Sequence, residues 1–153
     1  MTNALPPASG SAGDIFARAP LLTDERLYRL VRLPAPAITA GAGLLAEAGT
    51  PFSALIVDEG EVTLVLPQEE WEQFSVRLPD IGEGGLYRLI TFDAALEPSL
   101  TGFLARVSDV LARAGVPILA LSAFTRDHVL VPEDHFQAAW DALRAAQQPG
   151  TAR

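Results

Sequence analysis

A short polar segment in the second half of the chain carries the side chains best suited to hold a small charged ligand. Ser99 and Thr101 bring hydroxyl groups, and Gly102 lets a ligand approach the backbone closely because it has no side chain. A helix that begins at Ser99 would offer unpaired N–H groups and a positive dipole end, which suit a carboxylate. Asp93 and Glu97 precede it and could bind an ammonium group. A molecule that carries both groups would find a partner for each in this segment.

The backbone carbonyls around Val116–Ile118, where a later strand starts, offer other partners for the ammonium. The complete candidate binding site is Asp93, Glu97, Ser99, Leu100, Thr101, Gly102, Val116, Pro117 and Ile118. A purely structural interpretation is also open. Ser99 can simply cap a helix, and Gly102 can simply let a helix pack closely on a sheet.

A second polar group gives a weaker indication of chemistry. It consists of Asp127, His128, Glu133, Asp134 and His135. Its two histidines fall on a predicted strand and at a predicted helix start, whereas a zinc helix places both on one face, four residues apart. Acidic residues at a helix start are expected in any case. We therefore predict no catalytic residue, no metal site and no cofactor, and a small enzyme that uses His128 and His135 is the alternative.

A glycine pattern in the first half resembles a dinucleotide-binding fingerprint. Gly41–Ala46 matches G-x-G-x-x-A after a predicted strand. Pro34 and Pro36 separate it from that strand, and the helix that follows is too short for a crossover between parallel strands. A flexible loop of small residues is the better prediction.

Composition narrows the classes of partner. The formal net charge is −8, and an acidic surface repels both phosphate backbones and anionic lipid headgroups, so neither a nucleic acid nor a membrane is expected as a partner. The chain has no cysteine, which excludes disulfides and thiolate sites and fits a reducing cytoplasm. No apolar run is long enough to span a bilayer.

The elements that must position the candidate site are clear in the second half. Leu86–Phe92 predicts a strand, and Ser99–Ala114 predicts a helix that ends at Gly115. The apolar stripe of that helix is Leu100, Phe103, Leu104, Val107, Val110, Leu111 and Ala114. Two strands follow, over Ile118–Ser122 and His128–Val131. A second helix comes after them, with a predicted buried face of Phe136, Ala139, Trp140 and Leu143.

The first half predicts a similar order of elements from weaker patterns. These are a strand over 27–33, at most a short helix over 44–48, a hairpin over 52–66, a helical turn over 67–71 and an extended piece over 76–78. Residues 80–85 predict a linker. Residues 1–22 are rich in Ala, Pro, Ser and Gly and predict a flexible tail, in which Ile15 and Phe16 are the residues that could dock.

Several short motifs of the second half, taken together, are similar to those of ACT domains. They are Tyr87-Arg88-Leu89-Ile90, Pro98–Leu104, Leu111–Ile118, Ala120–Phe124 and Asp127–Val131. Their order and spacing cover residues 86–147. More narrowly, they resemble small bacterial paired-ACT proteins related to the CASTOR arginine sensors and to aspartokinase regulatory domains. Over 27–78 the resemblance is one of topology, helped by Arg32-Leu33-Pro34 and the Phe52-Ser53 hairpin.

The chain departs from its relatives at two motifs. Glu97-Pro98 stands where the family has Asp-Phe before Ser-Leu-Thr-Gly. Ser122-Ala123-Phe124 stands where the family has Ser-Thr-Tyr. Both departures fall in or near segments that the resemblance assigns to ligand binding.

The resemblance implies an α+β fold of two ferredoxin-like βαββαβ ACT units in tandem, with antiparallel sheets and helices on one face. The expected domains are a flexible tail over 1–22, a degenerate ACT-like domain over 23–81 and an ACT domain over 86–147. Such modules pair side by side, so a homodimer is expected.

The function that the resemblance implies is that of a cytoplasmic regulatory or sensor protein, without catalytic activity of its own. It would bind a small amino acid or a related metabolite and act on a regulated partner protein. The alternative is an ACT-type interaction and dimerisation module that binds no ligand.

Overall fold

The computed structural model describes residues 8–78 and 82–148, which divide into two compact units. The first unit comprises residues 25–87, and the second unit comprises residues 8–24 together with residues 88–148. The boundary on the C-terminal side falls inside a strand. The second unit is therefore built from two separate stretches of the chain.

Helices and strands of both units follow in chain order. The helices are α1 (Ala12–Arg18), α2 (Ile38–Ala48), α3 (Gln68–Phe74), α4 (Phe103–Arg113) and α5 (Phe136–Gln147). The strands are β1 (Leu21–Leu22), β2 (Leu27–Pro34), β3 (Ala54–Val57), β4 (Glu61–Pro67), β5 (Gly82–Phe92), β6 (Leu119–Ser122) and β7 (Asp127–Pro132). Short 3-10 turns cover Ala35–Ala37, Ser75–Arg77 and Glu133–His135. The described chain is a mixture of helices and antiparallel strand pairs, in agreement with the predicted α+β class.

The first unit has the element order βαββαβ, with the first half of β5 as its last strand. Its strands lie in the order β3-β4-β2-β5. Strand β4 pairs antiparallel with both neighbours, with Val65 opposite Leu30 on one side and Ala54 on the other. Alternate residues of β2 and β4 point into a core that helices α2 and α3 close. That core is Val31, Leu33, Leu44, Val62, Leu64, Leu66, Trp71, Phe74 and Leu78.

Helix α2 is much longer than the sequence predicts. The residues before Leu44 are small and gave the pattern of a loop, yet the helix runs from Ile38 to Ala48. A Cβ atom at Gly41 would lie 3.2 Å from a Leu64 methyl group and 3.3 Å from one of Leu33. Gly41 thus lets the helix backbone approach the sheet, and the Gly41–Ala46 pattern belongs to a packed helix rather than a flexible loop.

Two further predictions for the first unit were wrong. The extended piece predicted over 76–78 is largely a 3-10 turn, Ser75–Arg77, that directly continues α3. The linker predicted over 80–85 contains the start of β5 at Gly82, and residues 80 and 81 lie outside the described residues. The first error arises because three residues are too few to show a periodicity. The second arises because glycines are typical of a linker, whereas β5 forms by pairing with β2.

The second unit contains the elements that the sequence predicted most clearly. Strands β6 and β7 pair antiparallel, with Leu119 opposite Leu130, and β7 lies beside β5. The central residues of the predicted stripe on α4 are buried, as are Ala139 and Leu143 of α5. The core is Ile15, Phe16, Ala19, Leu21, Ile90, Phe92, Phe103, Val107, Leu111, Val116, Val129, Val131, Ala139 and Leu143.

The N-terminal segment differs from the flexible tail that the sequence predicts. Residues 12–18 form α1, and Ser11 caps it in a reciprocal capping box with Asp14. Ile15 and Phe16 are 3% and 1% exposed. The amide of Gln147 donates hydrogen bonds to the carbonyls of Phe16 at 2.9 Å and Ala19 at 2.7 Å. Two large apolar side chains and one capping box outweigh the Ala- and Pro-rich composition.

Strand β1 is an outer strand of the second unit. Leu21 lies opposite Phe92 and Leu22 opposite Thr91 of β5, in antiparallel pairing. In the first unit, the first strand β2 lies beside the last strand, which is the first half of β5. In the second unit, the first strand is the second half of β5, and β1 lies beside it at the corresponding position. Strand β1 precedes the first unit in the sequence. Among the described residues, no helix has the length and apolar character needed to cross a bilayer.

Candidate ligand-binding site

A cavity of about 550 Å³ lies in the second unit, between the loop that follows β5 and the β6–β7 hairpin. The loop contributes Leu96, Glu97, Pro98 and Leu100, and residues 102–105 contribute the start of α4. The hairpin contributes residues 122–127. The lining is mainly apolar with a few charged groups, which is typical of sites for small polar molecules.

The loop holds its shape through its own backbone. The N–H of Leu100 donates to the carbonyl of Glu97 at 2.8 Å, which makes Glu97–Leu100 a turn. Gly102 follows with φ of 92°, a left-handed conformation that glycine adopts easily, and α4 begins only at Phe103. The prediction of a helix from Ser99 was therefore wrong at its first turn. Leu100 packs against the core from the loop, which explains why it fits the apolar stripe without being helical.

The start of α4 nevertheless faces the cavity. The N–H of Arg106 donates to the carbonyl of Gly102 at 3.0 Å, so the N–H groups of residues 103–105 precede the first intrahelical bond. No side chain caps this helix. The predicted electropositive helix start thus exists, shifted to Gly102.

Glu97, Leu100 and Gly102 are the predicted site residues that line the cavity. Ser99 and Thr101 are exposed, do not line it and do not cap α4.

Asp93 has a different partner from the one predicted. Its carboxylate Oδ1 lies 3.2 Å from Nη1 of Arg126. Its backbone N–H donates to the carbonyl of Pro20 at 2.9 Å. Asp93 therefore ties the loop to the β6–β7 hairpin and to the N-terminal segment, and its carboxylate is already neutralised.

Val116, Pro117 and Ile118 lie at the far end of α4. The helix has 11 residues, so its two ends are roughly 16 Å apart. Val116 is buried in the core, and its N–H donates to the carbonyl of Leu111 at 2.9 Å. Within one unit, these residues and the start of α4 cannot contact the same small molecule.

The hairpin residues of the cavity were absent from the predicted site. Ser122 Oγ donates to Asp127 Oδ1 at 2.6 Å, and the N–H of Ala123 donates to the carbonyl of Arg126 at 2.9 Å, which closes the turn. The N–H of Leu96 donates to the carbonyl of Thr125 at 2.8 Å and joins loop to hairpin. The sequence signal for these residues is the adjacent pair Arg126-Asp127 in a tight turn. No sequence pattern shows which loops meet in space.

The polar group around His128 does not form a metal centre. In the parts of the chain that the structure describes, no three His, Asp or Glu side chains lie close enough to share an ion. His128 is 8% exposed, and its Nδ1 lies 2.9 Å from Thr91 Oγ1. His135 pairs instead with its neighbour Asp134 at 2.8 Å.

The fold and cavity together define a class, that of small α+β domains with a ligand-sized cavity between the first loop and a hairpin. Residues 85–145, called the ACT segment below, match the model of the ACT domain family. The family resemblance drawn from the sequence motifs is confirmed.

Similar proteins fall into two groups. The chain is 31% identical over 100 residues to the rat cytosolic arginine sensor for mTORC1 subunit 1, and the mouse protein of that name is 30% identical over the same length. Each alignment covers 64% of this chain but 30% of the relative, so the chain spans less than a third of those proteins.

Solved structures share the fold at lower identity. A protein of unknown function and possible transport protein from Vibrio cholerae has a TM-score of 0.69 and 23% identity, over 90% of this chain and 97% of that one. The regulatory subunit of aspartate kinase from Thermus flavus has a TM-score of 0.61 and 16% identity, over 84% and 97%. At such identities the likeness concerns the fold alone.

Proposed function

We propose that this chain is a regulatory protein that binds a small amino acid in the cavity of the second unit and has no catalytic activity of its own. The observation that carries the proposal is the cavity itself, which lies in the ACT segment and is lined by charges of both signs. The similar proteins support a regulatory role, since they include an arginine sensor and a regulatory subunit of aspartate kinase.

The cavity offers a partner for each group of an amino acid. The N–H groups of residues 103–105 and the guanidinium of Arg126 suit a carboxylate. Glu97 and Asp127 suit an ammonium group. Of the residues first assigned to the site, Glu97, Leu100 and Gly102 would contact the ligand. Asp93, Ser99 and Thr101 would shape the loop.

The first unit is proposed to be a second, degenerate ACT-like unit. Its elements follow the βαββαβ order of an ACT unit, and its strands lie in the order β3-β4-β2-β5. Its sequence has diverged from that of the second unit. We also propose that the chain forms a homodimer and acts on a partner protein, as expected of a sensor without catalytic activity.

A thermal-shift panel of the twenty standard amino acids tests the proposal. A ligand present at a hundred times its Kd stabilises the protein by about 2.7 kcal/mol, which raises Tm by roughly 5–10 °C in a chain of this size. We expect one or two amino acids to do so at millimolar concentration.

A matched pair of variants shows whether the cavity is responsible. Ala105 is exposed and lines the cavity, and Ala112 is exposed at the other end of the same helix. Ala105→Trp should fill the cavity and abolish the shift, and Ala112→Trp should keep it. A panel without any shift, or equal shifts in both variants, would contradict binding in this cavity.

An interaction module without a ligand is the second candidate. Phe124 favours it, because this aromatic side chain at the hairpin tip is 88% exposed, and large exposed apolar groups often mark contact surfaces. A silent amino-acid panel together with a stable homodimer would favour this candidate over the first.

A further inference from the structure

Two contacts hold the loop after β5 against the β6–β7 hairpin. One is the ion pair between Arg126 Nη1 and Asp93 Oδ1 at 3.2 Å, and the other is the backbone hydrogen bond from Leu96 to Thr125 at 2.8 Å. Both contacts lie at the cavity, since Leu96, Thr125 and Arg126 line it. A molecule that enters the cavity therefore meets one half of an ion pair that it can compete for.

Arg126 carries the only positive charge among the described residues that line the cavity. Its partner Asp93 does not line the cavity. The side chains of Arg126 and Asp93 are 44% and 26% exposed. Exposed ion pairs contribute little to stability, so replacing Asp93 by another carboxylate has a low cost. An arginine guanidinium also binds a carboxylate with two parallel hydrogen bonds when the geometry allows it.

The other charges around the cavity are negative. Glu97 and Asp127 line it, and Asp127 already accepts a hydrogen bond from Ser122 Oγ at 2.6 Å. Arg126 and the N–H groups of residues 103–105 together can hold one carboxylate of a ligand, and a second carboxylate would be repelled by Glu97 and Asp127. The remaining wall is apolar, with Leu96, Leu100 and Phe103, and suits an aliphatic side chain.

We propose that Arg126 exchanges Asp93 for the carboxylate of the bound molecule, and that the cavity accepts amino acids with one carboxylate and an apolar side chain. This inference rests on the proposed function and identifies the class of ligand. Binding breaks the ion pair between loop and hairpin, so that occupancy of the cavity changes how these two segments are held together.

The exchange makes the two partners of the ion pair act in opposite directions. Removing the charge of Arg126 deprives the ligand carboxylate of its partner and weakens binding. Removing the charge of Asp93 deletes a competitor for Arg126 and strengthens binding. If the ion pair merely held the hairpin in place, both changes would weaken binding.

Isothermal titration with L-leucine as the probe tests this in the full chain. We expect Arg126→Gln to raise Kd roughly ten- to hundredfold, as for loss of a hydrogen bond to a charged group. We expect Asp93→Asn to lower Kd roughly two- to fivefold, which is the worth of an exposed ion pair. Asp109→Asn breaks the comparable exposed pair of Asp109 and Arg113 on α4, away from the cavity, and should leave Kd unchanged.

Two further compounds examine the ligand class. L-glutamate should give no heat of binding because of its second carboxylate. 3-Methylbutylamine has the leucine side chain and ammonium without the carboxylate, and it should bind the wild type more weakly than leucine does. That penalty should shrink in Arg126→Gln, as coupled contacts do in a double-mutant cycle.

The outcomes separate this inference from the proposed function. If leucine binds the wild type and Arg126→Gln equally, or if Asp93→Asn weakens binding, the exchange is wrong and the proposed function stands. The same holds if another amino acid binds but leucine does not. If none of the twenty binds, the proposed function fails and this inference fails with it. Circular dichroism of each variant confirms that it is folded.

Discussion

At the scale of single residues, His128 shows what burial does to a titratable group. It lies on β7 with 8% of its surface exposed and contacts the Thr91 hydroxyl through Nδ1. Burial lowers the pKa of His128 below its ordinary value near 6.5, nearby Arg126 lowers it further, and Asp127 partly opposes the change. The folded chain therefore resists protonation of this imidazole more than the unfolded chain does.

Stability should fall as the pH is lowered from neutral. The unfolded chain takes up a proton on His128 near pH 6.5, and the folded chain takes it up only at lower pH. The contribution of His128 to the free energy of unfolding is fully present above its pKa in the unfolded chain. It is lost as the pH falls toward its pKa in the folded chain, with a slope of at most about 1.4 kcal/mol per pH unit. Urea unfolding between pH 5.5 and 7.5 measures the slope.

The matched variants for this slope are His128→Gln and His135→Gln. The first should flatten the slope, and the second should retain it because it leaves His128 and the groups around it unchanged. An unchanged slope in His128→Gln would show that another group causes the pH dependence.

At the scale of elements, α1 contributes to the core far more than its length suggests. The ring of Phe16 lies 6.3 Å from those of Phe92 and Phe103, which are themselves 5.3 Å apart in an edge-on arrangement. The guanidinium of Arg106 lies 5.7 Å from the Phe16 ring on the outer side. The N-terminal helix thus completes an aromatic cluster inside the ACT segment.

Phe16→Ala should lower the free energy of unfolding by about 3–5 kcal/mol, because it leaves a cavity in this cluster. Phe124→Ala is the matched control, since the same side chain is 88% exposed there and its loss should change stability by less than about 0.5 kcal/mol. Denaturant titration at constant pH measures both. Similar losses in the two variants would mean that α1 does not pack as described.

Periodicity was enough to predict some elements and not others. The stripes on α4 and α5 have large apolar residues at helical spacing, and both helices form. The first half of helix α2 escaped prediction because Gly41 fits a close contact with Leu33 and Leu64 that sequence alone cannot reveal. The predicted site shares the loop residues Glu97, Leu100 and Gly102 with the cavity lining but contains no residue of the hairpin. The meeting of loop and hairpin depends on sheet order and leaves no local pattern.

At the scale of the whole molecule, strand β3 is an outer strand of the first unit, paired on one side with β4. Ile56 and Val57 on it are 45% and 53% exposed. An apolar outer strand with unpaired backbone groups favours pairing with another chain. We therefore expect the proposed homodimer to form along β3.

Light scattering should give twice the mass of one chain. Ile56→Lys should shift the population toward monomer, because a lysine on an outer strand opposes strand pairing. Val76→Lys places the same charge at a residue that is 89% exposed but not on a strand. This variant protein should remain a dimer. A dimer that persists in Ile56→Lys would place the interface elsewhere.

The position of α1 and β1 also has a consequence for how the chain is made. Residues 8–22 are synthesised long before the elements with which they pack, and the hydrogen bond from Gln147 to Phe16 spans 131 residues of sequence. Ile15 and Phe16 must stay without their final neighbours while the rest of the chain is translated. The second unit can therefore mature only after α5 has been synthesised, and contacts so distant in sequence slow folding. During that interval residues 8–22 present apolar side chains that a chaperone would recognise.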